Sequence, residues 1–381
     1  MRKEADGMRT LGLYLHIPFC KSKCLYCDFC SSPNVSEALR ESYVAALCRD
    51  LQKTSALCKA HTVDTVYLGG GTPTVLTATQ LEEIMETVFS CYRVAKKAEI
   101  TAECNPATAS RETLSRMRRA GINRLSIGLQ SAHAQELKAL GRLHDFARFR
   151  STWEDARAVG FDNLSVDVMS GIPHQTRESY LETLRLLCAL SPEHVSAYGL
   201  IVEEGTPFGR MAERLPLPDE ETARAMYFDG IEYLASQGLF QYEISNFARA
   251  GYESRHNLKY WDCDEFLGFG PAAYSDFGGE RFGNTSDVCA YIDGKDVCGE
   301  RERVSVRERA NEYVMLRMRL CKGISRAAFE GRFGMDFSPM AQGLERYVSM
   351  GLVSKTADGY AFSPEGMYVS NAILSEILDF S

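Results

Sequence analysis

LGLYLHIPFCKSKCLYCDFC, Leu11 to Cys30, joins an alternating apolar run to four cysteines within eleven residues. Leu11, Leu13, Leu15 and Ile17 recur at every second position, the repeat of a strand. Pro18 ends the run, because its ring has no N–H to give to a ladder. The cysteines therefore fall in the connection after a strand. Their spacing admits three readings. Cys20, Cys24 and Cys27, at i, i+4 and i+7, would share one helix face as a buried stripe. Four thiolates could make a tetrahedral zinc site, although such sites usually join two short pairs across a longer loop. Three thiolates could each hold one iron of an iron–sulfur cube and leave the remaining iron open to a small molecule. The strand and the proline favour a functional loop over a helical stripe.

Outward from this stretch, the chain alternates between two periods. Strands are expected at Leu11–Ile17, Thr62–Gly70, Glu99–Asn105, Arg124–Gln130, Asn163–Gly171 and His194–Val202. Helical patterns lie between them: SEALRESYVAALCRDLQ, TATQLEEIMETVFSCYRV, ASRETLSRMRRAG, STWEDARAVG and TRESYLETLRLLCALS. Repeated βα units imply an α/β fold around a parallel sheet. The apolar runs end on GGGTPT, ECNP, GLQS, DVMSG and GLIVEEG, polar or Gly-rich segments at the strand ends where βα folds build their sites. The rhythm then changes. LPDEETARAMYFDGIEYLASQG reads as a long helix ending at Gly238, and YEISNFARAGYESRHNLKYW follows with aromatic and polar residues. From Val304 the pattern is helix, short helix, then strand-turn-strand at Asp358-Gly359 and a final helix.

Fifty-one acidic against 43 basic residues give a net charge of −8 without a Lys/Arg tract, which disfavours a dedicated nucleic-acid binder. The basic run RMRRAGINR, Arg116 to Arg124, reads as the last turn of a helix before a glycine cap. Most of the remaining cysteines, such as Cys48, Cys58, Cys91 and Cys188, sit singly in apolar or helical surroundings and read as small hydrophobes in a reducing compartment. No apolar stretch approaches the roughly 20 residues of a membrane span. The short alternating run before Pro18 is a strand pattern, not a signal-peptide core. A cytoplasmic protein is expected.

C-x3-C-x2-C, with Tyr26 just before the third cysteine, resembles the signature of the radical S-adenosylmethionine (SAM) enzymes. Gly69 to Pro73, GGGTP after a strand, matches that superfamily's second element; its glycines also allow close backbone approach to a ligand. The resemblance spans nearly the whole chain through LYLHIPFC, VYLGGGTPT, TAECNP, GINRLSIGLQS, LGRLH, DVMSGIPHQT and YEISNFARAGYESRHNLKYW. It narrows to the oxygen-independent coproporphyrinogen III oxidase-like family and, on the last stretch, to the haem-chaperone branch.

The resemblance implies a radical SAM partial (β/α)6 TIM-like barrel followed by a small α+β, winged-helix-like C-terminal domain. The expected boundaries are 9–240 for the barrel, 241–303 for a connecting family-specific segment and 304–381 for the C-terminal domain. It implies a [4Fe–4S] cluster on Cys20, Cys24 and Cys27, with Cys30, three residues beyond the last, as a bystander. It implies SAM contacts from Tyr14, Tyr26, Gly70, Gly71, Thr72, Glu103, Gln130, Arg157 and Asp167. Haem is the implied third ligand, with a haem-accepting protein, respiratory or membrane-associated, and an electron donor to the cluster as partners. A homodimer is a further expectation. His16 and His256 are haem-ligand candidates that also read as hydrogen-bonded structural histidines, and the haem site stays unassigned. The competing activity is radical decarboxylation of propionate side chains by a coproporphyrinogen III oxidase.

Overall fold

The computed structural model describes residues 8–295 and 298–378. Six strands, β1 (Arg9–Ile17), β2 (His61–Gly70), β3 (Val94–Cys104), β4 (Arg124–Gln130), β5 (Leu164–Ser170) and β6 (His194–Gly199), pair in parallel in that order. The helices expected between them are α1 (Glu37–Ser55), α2 (Ala78–Cys91), α3 (Arg111–Arg119), α5 (Phe146–Ala158) and α6 (Arg177–Cys188). A short additional helix, α4 (Ala134–Ala139), precedes α5. The result is an α/β partial barrel.

Local chemistry explains the elements. The side chains of Ser36, Ser110 and Asp145 cap α1, α3 and α5, and Thr77 with Gln80 forms a reciprocal capping box on α2. Leu81, Ile84, Met85 and Val88 recur at helical spacing and bury the inner face of α2. Strand β4 divides its sides cleanly. Leu125, Ile127 and Leu129 join the main hydrophobic core, whereas Arg124, Ser126, Gly128 and Gln130 line the barrel cavity. A parallel strand covered by helices outside and enclosing a polar interior needs both faces buried, and all seven β4 residues are.

Residues 240–303 supply strands to both edges of this sheet. Asn246–Ala248 pairs antiparallel with β6 and is followed by Phe240–Gln241. On the other edge, Phe266–Phe269 pairs parallel with β1, and Tyr274–Phe277, Glu280–Asn284 and Cys298–Arg303 continue antiparallel. Their pairing occupies backbone groups that β1 and β6 would otherwise present as open edges.

The C-terminal part has a second core of Val314, Phe329, Phe337, Leu344, Val353, Phe362 and Leu374. Its small sheet orders Ile324–Ser325, Gly359–Phe362 and Val353–Thr356 antiparallel, with the turn at Asp358-Gly359. An ion pair of Arg317 with Asp262, and an Arg332 hydrogen bond to the Asp262 carbonyl at 2.7 Å, tie it to the 241–303 segment. Residues 379–381 of the expected C-terminal domain lie outside the described residues. No described helix is long and apolar enough to cross a membrane.

Candidate functional site

The cysteines lie on an irregular loop between β1 and α1, so the helical-stripe reading does not hold. The loop is pinned from several sides. Phe19–Cys20 pairs with Ser32–Pro33, Leu25 N–H donates to the Leu140 carbonyl at 3.1 Å, and Phe208 N–H donates to the Leu25 carbonyl at 3.0 Å. A bond of 2.8 Å joins His16 Nε2 to the Cys30 carbonyl. Cys20, Cys24 and Cys27 all line one cavity of about 580 Å³ at the C-terminal ends of the barrel strands. Among the described residues, no three His, Cys, Asp or Glu side chains converge on a single ion position. Thiolates on a cube hold separate irons and need no such convergence. Cys30 is not part of the cavity wall, and its Sγ donates to the Ser286 carbonyl at 3.4 Å.

The glycine turn lies against this loop. Gly71 N–H donates to the Ile17 carbonyl at 2.9 Å and Thr72 N–H to the Phe19 carbonyl at 2.7 Å. Thr72 Oγ1 donates to Cys20 Sγ at 3.5 Å. A methyl group on Gly71 would sit 2.5 Å from the Phe19 carbonyl oxygen, and Gly70 has φ +103°, so both positions require glycine. Glu103, on the next strand, accepts from Tyr67 Oη at 3.0 Å and from Gly70 N–H at 3.1 Å. Burial, reinforced by Asp167, pushes its carboxyl up to about 7 against those two bonds. Asp167 accepts from Ser126 Oγ at 2.8 Å, and burial also raises its carboxyl. Gln130 accepts from Tyr198 Oη at 2.9 Å and holds a left-handed φ of +69°, a costly conformation for a residue with a side chain.

Tyr26, Gly70, Gly71, Thr72, Glu103, Gln130 and Asp167 thus meet the three cysteines in one cavity wall. Burial raises the Tyr26 hydroxyl above its ordinary range. Tyr14 lies outside that wall. Its hydroxyl is bonded to His16 Nδ1 at 3.0 Å, and its ring centroid is 6.2 Å from Tyr67 and 6.5 Å from His256.

Arg157 is a correction. Its Nη2 donates to both Glu193 oxygens at 2.8 Å, and its guanidinium stands 4.9 Å from the Trp153 ring centroid. Glu193 precedes β6 and accepts from the N–H of Leu164, where β5 begins, so Arg157 is held at the end of the sheet opposite the cavity.

The cavity instead holds Arg142, carried by the LGRLH stretch but not singled out in the sequence. Its Nη2 donates to the Gly128 carbonyl at 2.8 Å and its Nη1 to Cys24 Sγ at 3.7 Å. Arg124 is the other addition: it opens β4 at the expected position, and its side chain lines the cavity inside the barrel.

Both histidine candidates have their ring nitrogens engaged. His16 bonds Tyr14 and the Cys30 carbonyl, and His256 bonds Thr65 Oγ1 and Tyr260 Oη, each at 2.9 Å. Burial, with Lys259 and Arg124 nearby, lowers the His256 imidazolium to about 3, so this ring is neutral.

The Radical SAM superfamily model matches residues 14–187 and the HemN C-terminal domain model matches residues 304–369. Heme chaperone HemW of Bacillus subtilis (strain 168) is 34% identical over 373 residues, covering 96% of this chain and 98% of that protein. Heme chaperone HemW of Escherichia coli (strain K12) is 32% identical over 374 residues, covering 97% and 98%. The solved structure of coproporphyrinogen III oxidase (HemN) from Escherichia coli, a radical SAM enzyme, superposes with a TM-score of 0.87 at 22% identity, over 98% of this chain and 91% of that one, and so shares the fold. With a cysteine loop, a glycine turn and full-length similarity to the chaperones, the chain belongs to the HemW family of radical SAM proteins.

Proposed function

We propose that this protein holds a [4Fe–4S] cluster on Cys20, Cys24 and Cys27, binds SAM beside it, and carries haem to an acceptor protein. The supporting observation is the donor set: three thiols from one pinned loop open on a large cavity, while Cys30 turns to Ser286. Soft thiolates suit iron–sulfur ligation, and hydrogen bonds from Thr72 and Arg142 to two of the sulfurs are of the kind that tune such clusters. A reduced cluster supplies one electron for carbon–sulfur cleavage of SAM.

The remaining residues bind and orient. Gly70, Gly71 and Thr72 let the backbone approach the ligand closely. Glu103 can accept from a ligand ammonium, which would draw its carboxyl into the ionised form. Arg142, in place of Arg157, offers a guanidinium to a ligand carboxylate. Asp167 and Gln130 can bond ribose hydroxyls and the methionyl end, and Tyr26 closes the wall against water. Tyr14 holds His16, and through it the Cys30 carbonyl. On this reading 9–240 is the cofactor-binding unit, 241–303 completes its sheet, and 304–381 is a separate C-terminal unit. The working protein is cytoplasmic and meets an electron donor and a haem acceptor.

The test is anaerobic reconstitution of the full chain, with absorbance and electron resonance to identify the cluster. Haem titration, transfer to an apo-acceptor and detection of 5′-deoxyadenosine follow. Cubane content with stoichiometric haem binding and transfer is the expected result. A zinc-only protein, or one that consumes coproporphyrinogen III and transfers no haem, would overturn the proposal.

A further inference from the structure

Among the described residues, Arg124 is the largest fully buried side chain, 2% exposed. It lines the barrel cavity from the first position of β4, whereas Gln130, at the end of that strand, stands at the mouth. Its Nε has no hydrogen-bond partner, and among the described residues no carboxylate approaches it within ion-pair distance. Asp167 feels the charge of Arg124 across the cavity but makes no hydrogen bond to it, and accepts from Ser126 Oγ. Arg142 in the same cavity differs, since two of its donors are engaged. A buried guanidinium without a protein acceptor is costly to hold, and its uncommitted donors face a space large enough for a ligand group.

We propose that Arg124 forms the floor of a subsite for a monocarboxylate that enters the barrel past the cysteine loop. The fork of a guanidinium matches the two oxygens of a carboxylate. The cavity's own charges select among anions: Glu103 and Asp167 share the wall, so a doubly charged phosphate meets more repulsion than a carboxylate does. Asn257, from the RHN stretch, also reaches this wall and adds a neutral polar group. Two ligands of the preceding reading carry such a group: the propionate arms of haem, and the methionyl end of SAM, which Arg142 would otherwise meet alone. The subsite stands on the cavity itself, and its assignment to SAM or to haem rests on that reading.

The experiment uses the anaerobically reconstituted full chain and equilibrium dialysis. Haem is compared with its dimethyl ester, and SAM with decarboxylated SAM, in wild type, Arg124→Met and Arg124→Lys. Circular dichroism, melting temperature and iron content verify that each variant is folded and loaded. In one of the two pairs, wild type should prefer the carboxylate form by at least about tenfold, as expected for a charge-assisted bond. Arg124→Met should erase that preference and Arg124→Lys keep part of it. The pair that responds identifies the source of the carboxylate. A haem reading that fails shows as absent binding of both haem forms while the SAM pair still reports on Arg124. If neither pair shows a preference that depends on Arg124 in folded variants, the subsite is rejected. Should Arg124→Met not fold, wild-type protein that fails to discriminate within either pair gives the same rejection.

Discussion

Arg142 donates to Cys24 Sγ across 118 residues of sequence, at 3.7 Å, while its other terminal nitrogen grips the Gly128 carbonyl. One buried cation therefore ties the cysteine loop after β1 to the inner face of β4. A donor aimed at a cluster sulfur stabilises the more negative, reduced state. Arg142→Met should make the cluster potential more negative by tens of millivolts and weaken SAM binding, with iron content retained. A potentiometric titration followed by electron resonance reads the first effect and equilibrium dialysis the second. An unchanged potential would show that the sulfur contact carries no electronic weight.

Arg157 gives the converse prediction. Its ion pair with Glu193, made through one nitrogen, and its seat on Trp153 are part-buried, so Arg157→Ala should cost roughly 1–2 kcal/mol of stability. SAM affinity should stay at the wild-type value. Denaturant unfolding and dialysis check the two halves, and a variant of normal stability that loses SAM would restore Arg157 to the site.

Gly71 sets the approach of the second strand's turn to the cysteine loop. The methyl of Gly71→Ala would fall 2.5 Å from the Phe19 oxygen, 2.7 Å from the Ile17 oxygen and 2.9 Å from the Phe19 nitrogen. All three are backbone atoms, so no side-chain rotation relieves the clash. The loop must move, at a cost on the order of 1–3 kcal/mol. Reduced iron retention after desalting, with a lowered melting temperature, is the expected outcome.

The barrel was legible because strand and helix periods alternate cleanly around polar strand ends, and β4 is found at the expected Arg124–Gln130. What escaped was long-range. Whether an arginine points into a barrel depends on register and on which end of the sheet its helix packs. Arg142 lies just beyond α4 and Arg157 in the last turn of α5, and neither stretch of sequence shows which end of the sheet its side chain reaches. The edge strands within 241–303 escaped for a related reason: pairs such as Asn246–Ala248 with β6 are too short to show a two-residue repeat, and neighbouring strands fix them.

Cys30 separates a three-thiol from a four-thiol site. Its sulfur faces the Ser286 carbonyl and its own carbonyl is held by His16, so Cys30→Ala should keep wild-type iron and sulfide content. Cys24→Ala should lose the cluster. Iron quantification with the absorbance of the reconstituted chain decides it, and an inverted pattern would reassign the ligands.

Glu103 should impose a pH dependence on the protein free of cluster and ligand. Its folded-state value, about 7, lies above its ordinary 4.5 because burial, then Asp167, disfavours the charge. At pH below both values the group is protonated in both states and contributes nothing. As pH rises from 4.5 towards 7 the unfolded chain releases the proton first, so stability falls through this window and the full penalty is present above about 7. Its size is on the order of 3 kcal/mol. Glu103→Gln removes the charge, and the Tyr67 hydroxyl can turn to accept from the new amide while Gly70 N–H keeps an oxygen. The variant should therefore be more stable than wild type above neutral pH and show a flatter stability profile below it, read by urea unfolding across the range. SAM affinity should fall in the same variant, because a neutral amide cannot meet a ligand ammonium with opposite charge. A variant with the wild-type slope would place the proton on Asp167 instead.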